Sequence, residues 1–182
     1  MLSMNLNPFP LCPSCGSSNV HFKQGKAFSC STCGFIYYHN VATAAGVLIE
    51  TRGKLLCIVR SQEPGLGLLA LPGGFVDPGE RAEAAVKREC LEEIGWTPDE
   101  LRFLASFPNQ YFYKDVLYNT CDLFFVAQVD NLQESDLRFD PHEASEIRFI
   151  DPDDIQEDEL AFDSTRRVLA AYKLTRLKNQ AG

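Results

Sequence analysis

The sequence predicts an α+β fold in which helices cover a mixed β-sheet and a small metal-binding module precedes it. Two paired cysteine motifs fall within the first 34 residues, a spacing typical of a structural metal site. Beyond them, short apolar runs rich in Val, Ile and Leu are interleaved with segments of helical character. Strands and helices do not alternate strictly, which favours a mixed sheet. We therefore divide the chain into residues 1–39 and 40–182.

Length and net charge limit the classes of function that this chain can have. A chain of 182 residues has room for one medium domain and a small accessory module. No apolar run approaches the roughly 18 to 20 residues that span a bilayer, and the first residues lack a signal-peptide pattern, so we expect a cytoplasmic protein without a membrane partner. The net charge of -8 disfavours nucleic acid. A small phosphorylated substrate stays open, because a bound metal reverses the charge locally.

The N-terminal module contains the motifs CPSCG and CSTCG, with 14 residues between the two CxxC pairs. This arrangement predicts a tetrahedral Zn²⁺ site with a purely structural role, because protein side chains would supply every ligand. A pair of redox dithiols or disulfides is the alternative. His21 and His39 are surplus to a complete set and are expected at the surface or in contact with the ligands, and not as ligands themselves. The predicted zinc ligands are Cys12, Cys15, Cys30 and Cys33.

The first elements of the main domain are a hairpin, a loop and a helix. The apolar runs 43–50 and 54–60, joined around Gly53, predict two buried strands. Residues 65–79 are dense in Gly and Pro and predict a loop. A helix over 80–94 follows, because Gly95 is a typical helix stop.

The second half of the main domain contains further strands and two helices. The last helix is expected to pack through Val168, Leu169, Tyr172 and Leu174. The predicted elements are strands at 101–107, 116–129 and 145–150, a short helix within 151–160 and a final helix at 163–177.

Three glutamates of the predicted helix 80–94 share one helical face. Glu89, Glu92 and Glu93 stand at i, i+3 and i+4, on a stripe that continues toward small, core-like residues. Such crowding is unfavourable unless a cation is present, and oxygen ligands suit Mg²⁺ or Mn²⁺. The preceding PGG segment can approach a ligand closely because glycine lacks a Cβ. A solvated acidic helix face is the alternative for the helix taken alone.

Residues 74–96 resemble the Nudix box, written G-x5-E-x7-R-E-U-x-E-E-x-G-U, where U is a bulky aliphatic residue. The residues in register are Gly74, Glu80, Arg88, Glu89, Glu92, Glu93 and Gly95, whereas Cys90 and Trp96 occupy the U positions. A four-cysteine ribbon before such a domain is similar to a group that includes NADH, FAD and ADP-ribose pyrophosphatases. The resemblance implies a Nudix α/β/α sandwich, and it favours a homodimer.

The resemblance also implies a reaction, metal-dependent hydrolysis of the pyrophosphate in a nucleoside diphosphate derivative such as ADP-ribose, FAD or an NAD(H)-like dinucleotide. We expect Glu89 and Glu93 to be the principal metal ligands, with Glu92 as a third. Arg88 is expected to orient Glu89. The carbonyl of Gly73 is expected to complete the protein ligands, and Glu80 to tether the loop or to bind a metal through water. Glu143 is the candidate for the extra carboxylate and general base, with a glutamate of the box as the alternative.

The sequence has weaker signals for substrate specificity than for the metal site. Arg60, at the end of a predicted strand, is a candidate phosphate contact, with plain surface exposure as the alternative. Tyr111 and Tyr113 are candidates for stacking on a base, and sheet core is the alternative for these aromatic residues. The stretch ASFPNQYFYKDVLYNT lacks the SQPWPFP-like segment of NADH-directed relatives, which disfavours NADH.

Two rival functions follow from the same features. A non-catalytic, ligand-sensing Nudix domain would use the ribbon as an interaction module, but it has no need of an intact REUxEE metal cluster. Decapping of NAD- or triphosphate-capped RNA would need a basic track, and the sequence has no such run.

Overall fold

The computed structural model describes residues 9–23, 26–113 and 116–180. These residues form two separate sheets and two α-helices. The elements are β1 (Val20–Lys23), β2 (Ala27–Cys30), β3 (Ile36–Tyr38), β4 (Ala42–Thr51), β5 (Lys54–Arg60), β6 (Leu69–Ala70), β7 (Gly73–Phe75), α1 (Ala82–Ile94), β8 (Arg102–Tyr113), β9 (Val116–Gln128), β10 (Ala144–Ile150) and α2 (Asp163–Gln180).

The N-terminal module is a three-stranded antiparallel sheet in the order β1-β2-β3. The motif CPSCG precedes this sheet, and CSTCG follows from the end of β2. Phe28 is fully buried and lies edge-on to Phe9 and Phe35, with ring centroids 5.5 and 6.5 Å away. The proposed domain boundary after residue 39 falls between β3 and β4.

The main sheet has seven strands, and its central order is β10-β5-β4-β9-β8. The short strands β6 and β7 pair with β5 and β4. β4 and β9 run parallel, whereas the other pairs are antiparallel. The sheet is therefore mixed, as the irregular order of strands and helices predicted.

The two helices cover opposite faces of this sheet, because its central strands alternate between two cores. One core joins Val47, Ile49 and Phe125 to the buried face of α1, which presents Ala85, Val86, Cys90 and Ile94. The other core joins the intervening strand residues to α2, which presents Val168, Leu169 and Tyr172. This alternation gives the predicted α/β/α sandwich.

Several predicted boundaries and one packing residue differ from the structure. α1 begins at Ala82 instead of residue 80, and β8 extends to Tyr113 instead of ending at 107. Leu174 was predicted to pack but is 61% exposed. It lies outside the stripe of α2 that contains Val168 and Tyr172.

The short helix predicted within 151–160 is reduced to a single 3-10 turn, Glu157–Glu159. The following residue, Leu160, is buried and forms a parallel bridge with Leu69 of β6. The amide of Ala161 also donates to the Leu69 carbonyl at 2.9 Å. These bonds to β6 require extended backbone, which ends the helical turn. In the described part of the chain, neither helix is long and apolar enough to cross a membrane.

Candidate active site and metal centre

The N-terminal cysteines converge on one point between the two turns that hold them. The Sγ atoms of Cys12 and Cys33 lie 3.7 Å apart, as do those of Cys15 and Cys30, and all four lie within 4.8 Å of one another. A tetrahedral zinc ion with Zn–S bonds of about 2.3 Å places its sulfurs about 3.8 Å apart. A disulfide needs about 2.05 Å, so the geometry fits a metal centre and not paired disulfides.

The second candidate site begins at the two glycines of β7. A Cβ on Gly73, whose φ is 145°, would lie 2.2 Å from the carbonyl oxygen of Ala45, so only glycine fits against β4. A Cβ on Gly74 would lie 2.4 Å from Oε1 of Glu89. The backbone of β7 therefore lies directly against the carboxylates of α1.

Arg88 holds the carboxylates around it in fixed positions. Its guanidinium donates to Glu89 at 2.7 Å, to Glu92 at 3.1 Å and to both carboxylate oxygens of Glu80 at 3.1 and 3.2 Å. It also donates to the carbonyl of Phe75 at 3.0 Å. These hydrogen bonds raise the pKa of Arg88 and lower that of Glu80. One side chain thus joins the loop, β7 and α1.

Glu89 and Glu93 are the more buried carboxylates of α1. Glu93 is 5% exposed and accepts one hydrogen bond from the Gly73 amide at 2.8 Å. Burial raises the pKa of Glu93 to about 8; the Gly73 amide opposes this shift, and the charges of Glu89 and Glu143 add to it. Burial also raises the pKa of Glu89, against the effect of Arg88. The pair is costly to ionise without a cation.

Glu92 differs from its two neighbours, because its side chain is 55% exposed and points to Arg88. Among the described residues, the cysteine quartet is the only group of three or more potential ligand side chains whose ligand atoms all lie within 4.8 Å of one another. The α1 glutamates thus share a face without closing into a compact all-protein cage. Mg²⁺ commonly uses one or two carboxylates and completes its shell with water and phosphate oxygens, which suits this open arrangement.

Glu89 and Glu93 face a cleft of about 390 Å³. Glu143 and Arg60 also line this cleft, so the structure brings both residues to the glutamates as the sequence suggested. The loop that contains Glu143 is joined to the end of β5, since the Ser61 amide donates to the Glu143 carbonyl at 3.0 Å. Arg60 donates to the carbonyl of Pro64 at 2.7 Å and lies over the Phe162 ring at 5.0 Å.

Aromatic side chains form another part of the cleft wall. Tyr111 is half-buried, with its ring 5.5 Å from Phe75 and 5.9 Å from Phe162. Sequence reasoning singled out Tyr111 but missed Phe162, which lies just before α2. The side chain of Tyr113 lies outside the described part of the chain.

The cleft also contains a buried polar trio that sequence reasoning missed: Thr120, Asp122 and Ser164. One signal was visible, because Asp122 interrupts an otherwise apolar strand segment, CDLFFVA. The hydrogen bond between Asp122 and Ser164 could not be predicted from the sequence, since the two residues lie 42 positions apart.

Comparison with protein families gives a match to the NUDIX domain over residues 39–172. The ADP-ribose pyrophosphatase of Methanocaldococcus jannaschii is 33% identical over 130 residues, which cover 70% of each chain.

The NAD-capped RNA hydrolase NudC of Chromobacterium violaceum is 39% identical over 77 residues, 42% of this chain and 29% of that protein. The NudC of Stutzerimonas stutzeri is 36% identical over 96 residues, 52% of this chain and 34% of that protein. The matched segments thus span only about a third of the length of these two relatives.

Solved structures show the same fold. A NUDIX hydrolase from Nitrosomonas europaea superimposes with a TM-score of 0.66 at 24% identity, covering 86% of each chain. The NUDIX domain of Shewanella oneidensis NrtR, solved as a complex with ADP-ribose, gives a TM-score of 0.63 at 22% identity and covers 77% of this chain and 90% of that one.

Proposed function

We propose a function from the premise that this chain belongs to the Nudix family. The proposed reaction is hydrolysis of the pyrophosphate bond of a nucleoside diphosphate derivative with the help of a divalent metal. ADP-ribose, FAD and NAD(H)-like dinucleotides are the proposed substrate class. The observation that supports this most strongly is the buried Glu93 beside Glu89, against the β7 glycines and inside the cleft.

The proposed metal is Mg²⁺ or Mn²⁺, held by Glu89 and Glu93. Glu92 is proposed as a third ligand, and the carbonyl of Gly73 and the carboxylate of Glu80 would complete the set directly or through water. When bound, the ion would neutralise charge on the phosphate oxygens and lower the pKa of a coordinated water. Arg88 is proposed to keep Glu89 oriented, since its hydrogen bond to that carboxylate is the shortest of its set.

Glu143 is proposed as the general base. It lines the cleft, and its charge contributes to the raised pKa values of both Glu89 and Glu93, so its carboxylate lies within electrostatic reach of them. A carboxylate in that place can accept a proton from the attacking water. Arg60 is proposed to contact a substrate phosphate, and Tyr111 to contact the base. Tyr113 remains a sequence-based proposal for the same role.

The zinc centre is proposed to stabilise the ribbon through Cys12, Cys15, Cys30 and Cys33. A homodimer and a cytoplasmic location, both expected from the sequence, remain proposals.

The test of the function is a panel of candidate substrates incubated with Mg²⁺ or Mn²⁺. ADP-ribose, NADH, FAD, dinucleoside polyphosphates, oxidised dNTPs and an NAD-capped RNA would be assayed for products by mass. We expect cleavage of a pyrophosphate bond in at least one nucleoside diphosphate derivative. Binding of these compounds without any cleavage would favour the ligand-sensing alternative, and cleavage restricted to the capped RNA would favour decapping.

The Glu93→Gln variant tests the proposed metal site directly. Turnover should fall by several orders of magnitude, because the amide cannot replace the carboxylate as an anionic ligand. The circular dichroism spectrum should stay unchanged, since the amide oxygen can still accept the Gly73 hydrogen bond. Near-wild-type turnover would contradict the assignment.

A further inference from the structure

Thr120, Asp122 and Ser164 form a fixed polar floor in the cleft. Thr120 Oγ1 donates to one carboxylate oxygen of Asp122 at 2.6 Å, and Ser164 Oγ donates to the other at 2.6 Å. The three residues are 2%, 7% and 1% exposed, respectively. β9 contributes the first two and the first turn of α2 contributes the third, so the trio joins the two elements.

A buried carboxylate at this position is costly for the fold alone. Among the described residues, no cationic side chain lies within 4.0 Å of Asp122, so two hydroxyls are its only hydrogen-bonding side-chain partners there. A valine or leucine would continue the apolar core between β9 and α2 without the cost of desolvating a charge. Because Asp122 also lines the cleft, its remaining hydrogen-bonding capacity is open to a ligand.

The floor offers acceptors only. Each hydroxyl uses its single hydrogen on Asp122, so toward a ligand it presents lone pairs. A carboxylate has about four lone-pair sites, of which the two hydroxyls occupy two. A ligand group that meets this floor must therefore donate hydrogen bonds, and a carbonyl in the same place would face a carboxylate and be repelled.

The floor lies where the nucleoside end of a substrate would fit. Asp122 lies on the same face of β9 as Phe124 and Val126, which pack toward α2, whereas Glu89 and Glu93 belong to α1. The aromatic residues Tyr111 and Phe162 line the same cleft as the floor, and a planar base can stack on such rings. Since the glutamates, these rings and Asp122 line one cleft, a substrate with its pyrophosphate at the glutamates can direct its base to the rings and to Asp122.

We propose that Asp122, held in place by Thr120 and Ser164, selects the substrate by accepting a hydrogen bond from an exocyclic amino group of its nucleobase. The assignment of the ligand as a nucleotide rests on the proposed function. Adenine presents a 6-amino group and guanine presents a 2-amino group. Hypoxanthine has a carbonyl at position 6 and no amino group, which makes it the matched probe for both bases.

The test measures the binding of AMP, GMP and IMP to the full zinc-loaded chain in Mg²⁺ by titration calorimetry. These monophosphates have no pyrophosphate bond, so the measurement does not depend on hydrolysis. We expect AMP or GMP to bind about 10- to 100-fold more tightly than IMP, the range for a hydrogen bond to a charged acceptor. Similar Kd values for all three nucleotides, or no binding of any, would overturn the proposal.

The Asp122→Asn variant separates recognition from a structural role. The variant lacks the charged acceptor, so the preference for the amino nucleotide should vanish. If that nucleotide is AMP, the preference should reverse, because the new amide can donate to the 6-carbonyl of IMP. A uniform loss of affinity for all three nucleotides would instead mark Asp122 as a structural residue and overturn the proposal. Asp130→Asn, at an exposed position just beyond β9, is the matched control and should keep the wild-type ratios. Melting curves show whether both variants fold. The comparison of AMP, GMP and IMP on the wild-type chain does not depend on either variant.

This experiment is independent of the test of hydrolysis. A clear preference for AMP or GMP without turnover on the substrate panel would contradict the proposed hydrolase alone. Turnover on the panel with equal affinities for the three monophosphates would contradict the role of Asp122 alone.

Discussion

Glu93 shows how the position of one residue determines its chemistry. The i, i+4 spacing places it on the same helical face as Glu89, and its burial, more than the nearby charges of Glu89 and Glu143, raises its pKa to about 8. Glu92, one residue earlier, remains largely exposed and bound to Arg88. Two adjacent glutamates of one motif therefore have different environments, and the buried one gains more from a bound cation.

The raised pKa of Glu93 predicts a pH-dependent stability in zinc-loaded protein without Mg²⁺. The folded protein keeps a proton on Glu93 that the unfolded chain loses above its ordinary pKa of 4.5, so the free energy of unfolding should fall as the pH rises from about 4.5 to about 8. Urea unfolding at the two ends of this window measures the fall. The free energy of unfolding of Glu93→Gln should fall less over this window. Added Mg²⁺ should restore the free energy of unfolding of the wild-type protein at about pH 8. An equal fall in both proteins would contradict the prediction.

At the scale of elements, the site depends on a very short strand. β7 has only three residues, yet it pairs with β4 on one side and lies against the α1 carboxylates on the other. The register Gly46↔Gly73 brings the two strands close together, and the Gly73 amide is at the same time the only hydrogen-bond donor to Glu93 among the described residues. A small displacement of β7 would therefore move the ligand set.

Gly73→Ala tests this close approach, with Gly67→Ala as the matched control. Both glycines have positive φ, but a Cβ on Gly67 would meet nothing within 4 Å, whereas a Cβ on Gly73 would meet the backbone of β4. Gly67→Ala should lower the free energy of unfolding by about 1 to 3 kcal/mol through strain alone. Gly73→Ala should lower it further and also reduce turnover. Urea unfolding and steady-state kinetics measure both effects, and equal losses in the two variants would refute the role of the contact.

At the scale of the whole molecule, charge and stability are divided unevenly along the chain. The first acidic residue is Glu50, so residues 1–49, which include two lysines, carry a charge of +2, and residues 50–182 carry -10 of the net -8. The main sheet has two apolar cores, one on each face, whereas the ribbon has three short strands and few buried side chains. A module of this size would depend on a bound metal, here the proposed zinc, for most of its folding free energy.

Removal of zinc should therefore unfold the ribbon before the main domain. After chelation, hydrogen exchange should show loss of amide protection in β2 and β3, while β4 and β5 keep theirs. Cys33→Ser should reproduce this pattern, because it removes one ligand. Cys121→Ser, which changes a cysteine outside the quartet, should leave the ribbon protected. Full ribbon protection in metal-free protein would show that its side chains suffice without the ion.

Elements with strong local signals were predicted correctly. The hairpin of β4 and β5, the stop of α1 at Gly95 and the convergence of the cysteines all follow from spacing over a few residues. The helix predicted within 151–160 is only one 3-10 turn, and the predicted packing of Leu174 was wrong, because long-range contacts determine the structure at both places. The bridge from Leu160 to β6 ends a helical turn, and the position of α2 on the sheet leaves Leu174 in solvent.

The sequence alone determined the shared face of the α1 glutamates and the two cysteine turns, because helix periodicity and a two-residue gap act within one turn of chain. Only the tertiary structure decided that Glu93 is buried while Glu92 is exposed, that Glu143 lies in the same cleft as Glu93, and that Asp122 meets Ser164. These residues come from different elements, and the order of the sheet and the two faces that the helices cover bring them together.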